Sequence, residues 1–274
     1  MELFTVINNH RSIRRYKPDP VPDDLLNELL SAGLRASSSG NMQTYSIIVT
    51  RDRALRERLF EPHMEQDMVL DAPVLLTFCA DFRRMRHWLR LNDAPDNFDN
   101  FMSFMIATID ATLASQNVAL AAEARGLGIC YMGSTLAHCD EIGPILGLPP
   151  GVVPVVGYSL GWPDEDPAPR DRLPLGGLVH QETYHDYSDA DIAAIYAERN
   201  RRGWERYMTY PELRARIEGS GVQNLAQIYT RLKYTRESHL EYSERVLNYL
   251  RAQEFLDEEV TPADESAGWQ AKPR

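Results

Sequence analysis

The feature that most constrains this fold is an apolar run, PVLLTFCA, at positions 73–80. A strand with one wet face alternates apolar and polar residues, whereas a strand buried on both faces is apolar almost throughout. The run therefore predicts a central strand covered on both sides. Further strands are predicted at Tyr45–Thr50, 128–133 and Val152–Gly161.

Helical periodicity marks the other elements. Segment 22–36 has leucines at helical spacing after Pro22, and 52–59 predicts a shorter helix. Segment 102–125 is apolar almost all round, which is typical of a helix buried in a core or an oligomer interface. The charged stretch 81–100 is predicted to be irregular and lid-like, and the chain after Ser188 to be helical and polar.

The charge balance excludes some partners. A net charge of −11 argues against nucleic acid and against an anionic membrane surface. The N-terminus does not resemble a secretory signal, and no eighteen-residue apolar stretch is present. Three cysteines without C-x-x-C spacing predict neither a disulfide framework nor a metal cluster. We therefore expect a cytoplasmic protein with no metal and no membrane partner.

A basic cluster, HRSIRRYK, occupies positions 10–17 of this acidic chain. Arginine guanidinium groups present forked donors that match phosphate oxygens, and a serine hydroxyl adds a neutral donor. The cluster is therefore a candidate anion site. The alternative is a solvated basic turn that pairs with surplus carboxylates, and on the segment alone this is the simpler interpretation.

Two short motifs suggest other chemistry. GYSLG at 157–161 matches the nucleophile elbow of serine hydrolases, with Ser159 as nucleophile and His180 or His185 as base. Trp162 and Pro163 follow at once and cannot start the helix that the elbow needs, which disfavours a hydrolase. GLG at 126–128 lacks the third glycine of a dinucleotide-binding turn.

Several ordered blocks of the chain resemble the FMN-dependent nitroreductase family, and its oxygen-insensitive NADPH nitroreductase and flavin reductase branch in particular. The blocks are HRSIRRY, SSSGNMQ, FCADF, SQNVALAAEARGLGICYMG and GWPDEDPAPRDRLP. The resemblance implies an α+β three-layer sandwich, with a central mostly antiparallel sheet flanked by helices, in an intertwined homodimer. We expect an FMN-binding core over 1–188, a helical extension packed on it over 189–260, and a flexible tail over 261–274.

The resemblance also implies the cofactor contacts. The FMN phosphate would be bound by His10, Ser12, Arg170 and Arg172, and Arg11 would add a backbone or side-chain contact. Arg14 would lie at the N1 and O2 edge of the flavin, where a cation stabilises the reduced form. The remaining contacts would come from Ser38, Ser39, Gln43, Gln66, Met132, Gly133 and Ser134. Gly133 would place its N–H near the flavin N5, and the 38–43 loop would act across the dimer.

The implied activity is ping-pong hydride transfer from NADPH or NADH, through the flavin N5, to nitroaromatic, quinone or flavin-type acceptors. No general base is expected, because the flavin performs the chemistry. Arg202 and Arg206 are candidates for the NADPH 2′-phosphate. Alternatives are a reductase dedicated to one metabolic substrate, a flavin-binding sensor or carrier, and the serine hydrolase.

Overall fold

The computed structural model describes residues 2–256, so the predicted tail at 261–274 lies outside the described residues. Its sheet has four strands, β1 Tyr45–Thr50, β2 Val74–Asp81, β3 Gly128–Tyr131 and β4 Val152–Gly161. The strand order is β1-β2-β4-β3, and every neighbouring pair is antiparallel. The predicted antiparallel sheet is confirmed.

Twelve α-helices are present in the described residues. They are α1 Leu3–Asn8, α2 Asp23–Gly33, α3 Arg53–Phe60, α4 Met68–Asp71, α5 Arg83–Leu91, α6 Phe101–Ala124, α7 Ser134–Ala137, α8 Cys139–Ile145, α9 Asp189–Met208, α10 Pro211–Ser220, α11 Leu225–Ile228 and α12 Arg236–Ala252. All eight residues of β2 are buried, as its composition predicts. Strand β3 ends at Tyr131, two residues earlier than expected, because the chain turns into α7.

Helix α6 is the scaffold of the core. Asn100 caps it by accepting a hydrogen bond from the Ser103 backbone N–H at 3.1 Å. Small side chains such as Ala107, Ala111 and Ala114 point inward, and they let the helix approach the sheet closely. Among residues 2–256, α6 is the one helix long and apolar enough to cross a membrane, but 44% of that stretch is buried in the protein. It is therefore a core helix.

The charged segment 81–100 departs from its predicted irregular structure, because Arg83–Leu91 forms α5. None of the residues of α5 is buried. Met85, Trp88 and Leu89 nevertheless have the i, i+3, i+4 spacing of an amphipathic helix, among many charged neighbours. Met85 packs against the apolar core, and arginine contacts also attach the helix. Arg86 Nε donates to Asp96 Oδ2 at 2.7 Å, and Arg84 Nη2 donates to the Gln43 carbonyl at 2.6 Å.

The described chain divides into two compact units. The first unit comprises 2–8, 12–165 and 245–256, and the second comprises 9–11 and 166–244. In the second unit, α9 starts with a capping box between Ser188 and Asp191. A small apolar core joins α9, α10 and α11, and its buried members are Tyr207, Ile217, Val222, Leu225 and Ile228.

Candidate functional site

The basic segment runs along the outer edge of β3 and makes isolated β-bridges there. Ser12 makes a parallel bridge to Ile129, and the Ile13 N–H donates to the Ile129 carbonyl at 2.9 Å. Further along, the Lys17 N–H donates to the Trp162 carbonyl at 2.9 Å. These bonds attach the segment to the sheet, but Arg11 and Arg15 also pair with Asp166 and Glu165, so the anion site and the ion-paired alternative both stay predictions.

Glu165 fixes the backbone of the basic segment at Arg14 and Arg15. Its carboxylate accepts hydrogen bonds from the backbone N–H groups of Arg14 and Arg15, and it pairs with Arg15 Nε at 3.5 Å. Partial burial alone would raise the pKa of Glu165, but the two backbone hydrogen bonds and the Arg15 cation lower it below its ordinary value. The side chain of Arg14 stays exposed while its backbone is held.

Ser159 lies in the middle of the sheet rather than at an elbow. It is 0% exposed inside β4, and β4 continues for two residues beyond it. The buried hydroxyl of Tyr16 lies 2.7 Å from Ser159 Oγ and donates to the Ile13 carbonyl at 2.6 Å. A nucleophile has to be reached by its substrate, so the serine hydrolase alternative is wrong.

A buried polar cluster lies beneath the corner that follows β3. His63 Nδ1 is 2.8 Å from Ser134 Oγ, and Gln66 Nε2 donates to the His63 carbonyl at 2.7 Å. Gln66 Nε2 also lies 3.4 Å from Ser134 Oγ. Burial, helped by the nearby ring of His138, lowers the pKa of His63 to about 4. His63 is therefore neutral at pH 7 and helps to fix two of the predicted flavin residues.

Gly133 occupies the exposed point of that corner. Its neighbours Met132 and Ser134 are buried, and the Met132 N–H donates to the Gly157 carbonyl at 2.9 Å. A Cβ at Gly133 would meet no atom within 4 Å, and its φ of −64° suits any residue. A Cβ at Gly157, by contrast, would lie 2.5 Å from Thr135 Oγ1. Gly157 is thus explained by internal packing, whereas Gly133 leaves a fixed backbone open to an external group.

The 38–44 loop is tied to the core by Asp110 of α6. This carboxylate is 0% exposed and accepts from Ser38 Oγ at 2.7 Å, from the Ser39 N–H at 3.0 Å and from Thr44 Oγ1 at 3.1 Å. Ser38 Oγ in turn accepts from the Gln43 N–H at 2.7 Å. The hydroxyl of Ser38 is therefore used inside the loop, and its predicted flavin contact stays a prediction.

The predicted phosphate residues His10, Arg11, Arg170 and Arg172 belong to the second unit. Arg11 Nη2 pairs with Asp166 Oδ1 at 2.7 Å, and Arg170 and Arg172 are exposed on the loop that precedes α9. On α9, the two candidates for the NADPH phosphate have acidic neighbours: Arg202 pairs with Glu198 and Arg206 lies 3.9 Å from Asp171. The ligand roles of these residues stay predictions.

Comparison with known proteins decides the family, because the family profile described as "Nitroreductase family" matches residues 7–162. The chain belongs to the nitroreductase family. An NADPH-dependent oxidoreductase of Staphylococcus saprophyticus is 33% identical over 201 residues, which are 71% of this chain and 79% of the relative. The resemblance found in the sequence and the predicted α+β fold are confirmed.

Solved structures of similar fold cover nearly the whole chain. An oxidoreductase structure from Bacteroides fragilis has a TM-score of 0.85 and 40% identity, covering 92% of this chain and all of that one. An NADPH:FMN oxidoreductase from Vibrio harveyi, complexed with NAD+, has a TM-score of 0.72 and 26% identity. The match covers 92% of this chain and 98% of the Vibrio harveyi protein. The nitroreductase-family chain is thus an oxidoreductase, as predicted.

Proposed function

We propose that this nitroreductase-family protein uses FMN to transfer electrons from NAD(P)H to a small-molecule acceptor in ping-pong order. The observation that carries the proposal is the corner at Gly133, where a fixed backbone faces open space that no side chain fills. The relatives named NADPH-dependent oxidoreductase and NADPH:FMN oxidoreductase support NADPH as donor and FMN as cofactor.

The residues present fit a flavin mononucleotide. The Gly133 backbone, supported from below by His63 and Ser134, would face the flat ring, and Gln66 supplies an amide beside it. The side chains that would suit a phosphate are those of His10, Arg11, Arg170 and Arg172, with the hydroxyl of Ser12. When bound, FMN accepts a hydride from the nicotinamide and passes two electrons to the acceptor.

Arg14 contributes electrostatics rather than proton transfer. Its exposed guanidinium is always charged, and Glu165 holds the backbone that carries it. A fixed cation stabilises negative charge that develops during the reaction, because no reorganisation is needed when the charge appears. We therefore assign Arg14 to electrostatic stabilisation of the reduced cofactor and name no general base.

A second copy of the chain completes the proposal. The outward face of α6 carries large apolar side chains, including Met102, Ile109 and Leu113, each more than 40% exposed. Helix α1 adds exposed Leu3 and Phe4. A contiguous apolar surface of this kind is typical of a protein interface, so we propose a homodimer formed through these helices. The 38–44 loop would serve the flavin of the other copy.

The acceptor is proposed by class. A flavin face open to solvent suits nitroaromatics, quinones or free flavin, and a reductase dedicated to one metabolic substrate is the second candidate. We propose NADPH as the donor in the cytoplasm, with Arg202 and Arg206 as contacts to its 2′-phosphate. Replacing both arginines with glutamine should reduce the preference for NADPH over NADH.

The decisive experiment records the visible spectrum of the purified protein before and after anaerobic NADPH. Bound FMN that bleaches with NADPH and is reoxidised by a quinone supports the reductase, whereas flavin that is never reduced would indicate a sensor or carrier. Gly133→Ala tests the site itself. It should leave the melting temperature unchanged and weaken FMN binding about tenfold by pushing the ring away. Gly219→Ala, also with no atom near the new Cβ, is the matched control.

A further inference from the structure

Asp171 stands between the two arginines that we propose for the FMN phosphate. Arg170 and Arg172 are exposed, whereas the side chain of Asp171 is only 8% exposed. The aspartate therefore turns into the second unit while both arginines turn toward solvent.

Two arginines on one face of α9 receive this carboxylate. Arg199 Nη1 lies 3.1 Å from Asp171 Oδ2, and Arg206 Nη1 lies 3.9 Å from Asp171 Oδ1. Arg199 and Arg206 are seven residues apart, which is about two helical turns and places them on the same side. Arg199 Nη2 also donates to the hydroxyl of Tyr229 at 3.0 Å.

Helix α9 is a firm support for these contacts. Between the two arginines lies Gly203, and a Cβ at Gly203 would be 2.5 Å from Leu225 Cδ2. The helix is therefore packed directly against the small core of the second unit, to which Leu225 belongs. The contacts from Asp171 to Arg199 and from Arg199 to Tyr229 thus connect the loop to a packed core.

Other ion pairs on the same helix differ in burial. Arg201 pairs with Glu198 and Glu205, and all three side chains are more than half exposed. Exposed pairs of this kind contribute little to stability. The Asp171 contacts are less exposed and less screened by solvent, so they restrain the loop more strongly.

We infer that Asp171 is a positioning residue for the cofactor phosphate. Its contacts with α9 fix the backbone from which Arg170 and Arg172 project, so the helical part of the second unit determines how firmly FMN is retained. By charge alone a carboxylate beside a phosphate would weaken binding, because like charges repel. If Asp171 acts by positioning, its removal weakens FMN binding, whereas if it acts by charge, its removal strengthens FMN binding. The inference rests on the proposed binding of FMN.

The test compares two flavins. Asp171→Ala and Arg201→Gln are prepared from the full chain, the flavin is removed, and the dissociation constants of FMN and riboflavin are measured. Riboflavin lacks the phosphate, so the ratio of the two constants isolates the phosphate contribution. We expect Asp171→Ala to weaken FMN binding about tenfold and riboflavin binding less than twofold. The tenfold change corresponds to the loss of one charge-assisted contact to the phosphate. Arg201→Gln should change neither.

Four results would overturn the inference. Higher FMN affinity in Asp171→Ala means that the carboxylate acts only through its charge, and unchanged affinity means that it does not influence the phosphate site. Equal weakening of both flavins means general damage to the fold. An effect of the same size in Arg201→Gln means that any ion pair on α9 suffices. If the alanine variant does not fold, Asp171→Asn is judged by the same criteria. Wild-type protein that binds FMN no better than riboflavin contradicts instead the proposed phosphate site.

Discussion

His63 makes the stability of this protein depend on pH in a way that can be calculated. The side chain is 1% exposed, with Nδ1 2.8 Å from Ser134 Oγ. Burial, followed by the neighbouring ring of His138, lowers its pKa from 6.5 to about 4. The unfolded chain has an ordinary histidine, so it binds a proton at a pH where the folded protein does not.

The sign follows from this difference in proton binding. Between pH 6.5 and pH 4 the unfolded chain takes up a proton that the folded chain refuses, so the free energy of unfolding falls as the pH falls. The whole shift corresponds to roughly 3 kcal/mol, of which about 2 kcal/mol is lost between pH 7.5 and pH 5. Above pH 6.5 the contribution is fully present.

Urea unfolding of the FMN-saturated protein measures the effect at pH 7.5 and at pH 5. In His63→Gln the loss of stability between the two pH values should be smaller than in the wild type by about 2 kcal/mol. His87→Gln removes an exposed histidine from α5 and should keep the wild-type pH dependence. A His63 ring that titrates near pH 6.5 by NMR, or a glutamine variant that keeps the full pH dependence, would refute the reasoning.

Three further substitutions test contacts that position the site. Glu165→Gln should lower the free energy of unfolding by about 2 kcal/mol at pH 7, because two backbone N–H groups lose a charged acceptor. The loss should shrink in acid, as the pH falls through the lowered pKa of Glu165 and the wild-type carboxylate is protonated as well. A loss independent of pH would contradict this. Asp110→Asn should lower the free energy of unfolding, measured with urea, by about 2–3 kcal/mol, and backbone amides of the 38–44 loop should exchange hydrogen faster. Unchanged exchange would show that Asp110 does not anchor the loop. Gly157→Ala should lower the melting temperature, with a cost of about 1–3 kcal/mol for the clash with Thr135, while Gly219→Ala should not; equal melting temperatures would contradict the packing argument.

The strands were predictable because their signal is local. The apolar run at 73–80 predicted β2 almost to the residue, and Tyr45–Thr50 agrees with β1. Helix α5 was missed although Met85, Trp88 and Leu89 have helical spacing, because the dense charge of segment 81–100 outweighed that local signal in the prediction.

The supporting residues of the site lay beyond sequence reasoning. His63 meets Ser134 across 71 positions, Ser38 meets Asp110 across 72, and Arg14 meets Glu165 across 151. A single sequence carries no sign of such pairings. Glu165 was included only within the block GWPDEDPAPRDRLP that carried the resemblance. A Cβ at Gly133 would meet no neighbouring atom, unlike one at Gly157, but Gly219 shares this property, so the flavin contact of Gly133 stays a prediction.

The basic segment beside β3 also affects how copies of the chain can associate. An open sheet edge offers a row of unpaired backbone groups, which invites another chain to extend the sheet. Here the Ile13 N–H already bonds to the Ile129 carbonyl, so the protein's own N-terminal segment covers that edge. On the opposite edge strand β1, Arg84 Nη2 donates to the Tyr45 carbonyl at 3.2 Å. At each edge of the sheet at least one backbone group is therefore already bonded within the chain, and it is not available to a strand of another copy.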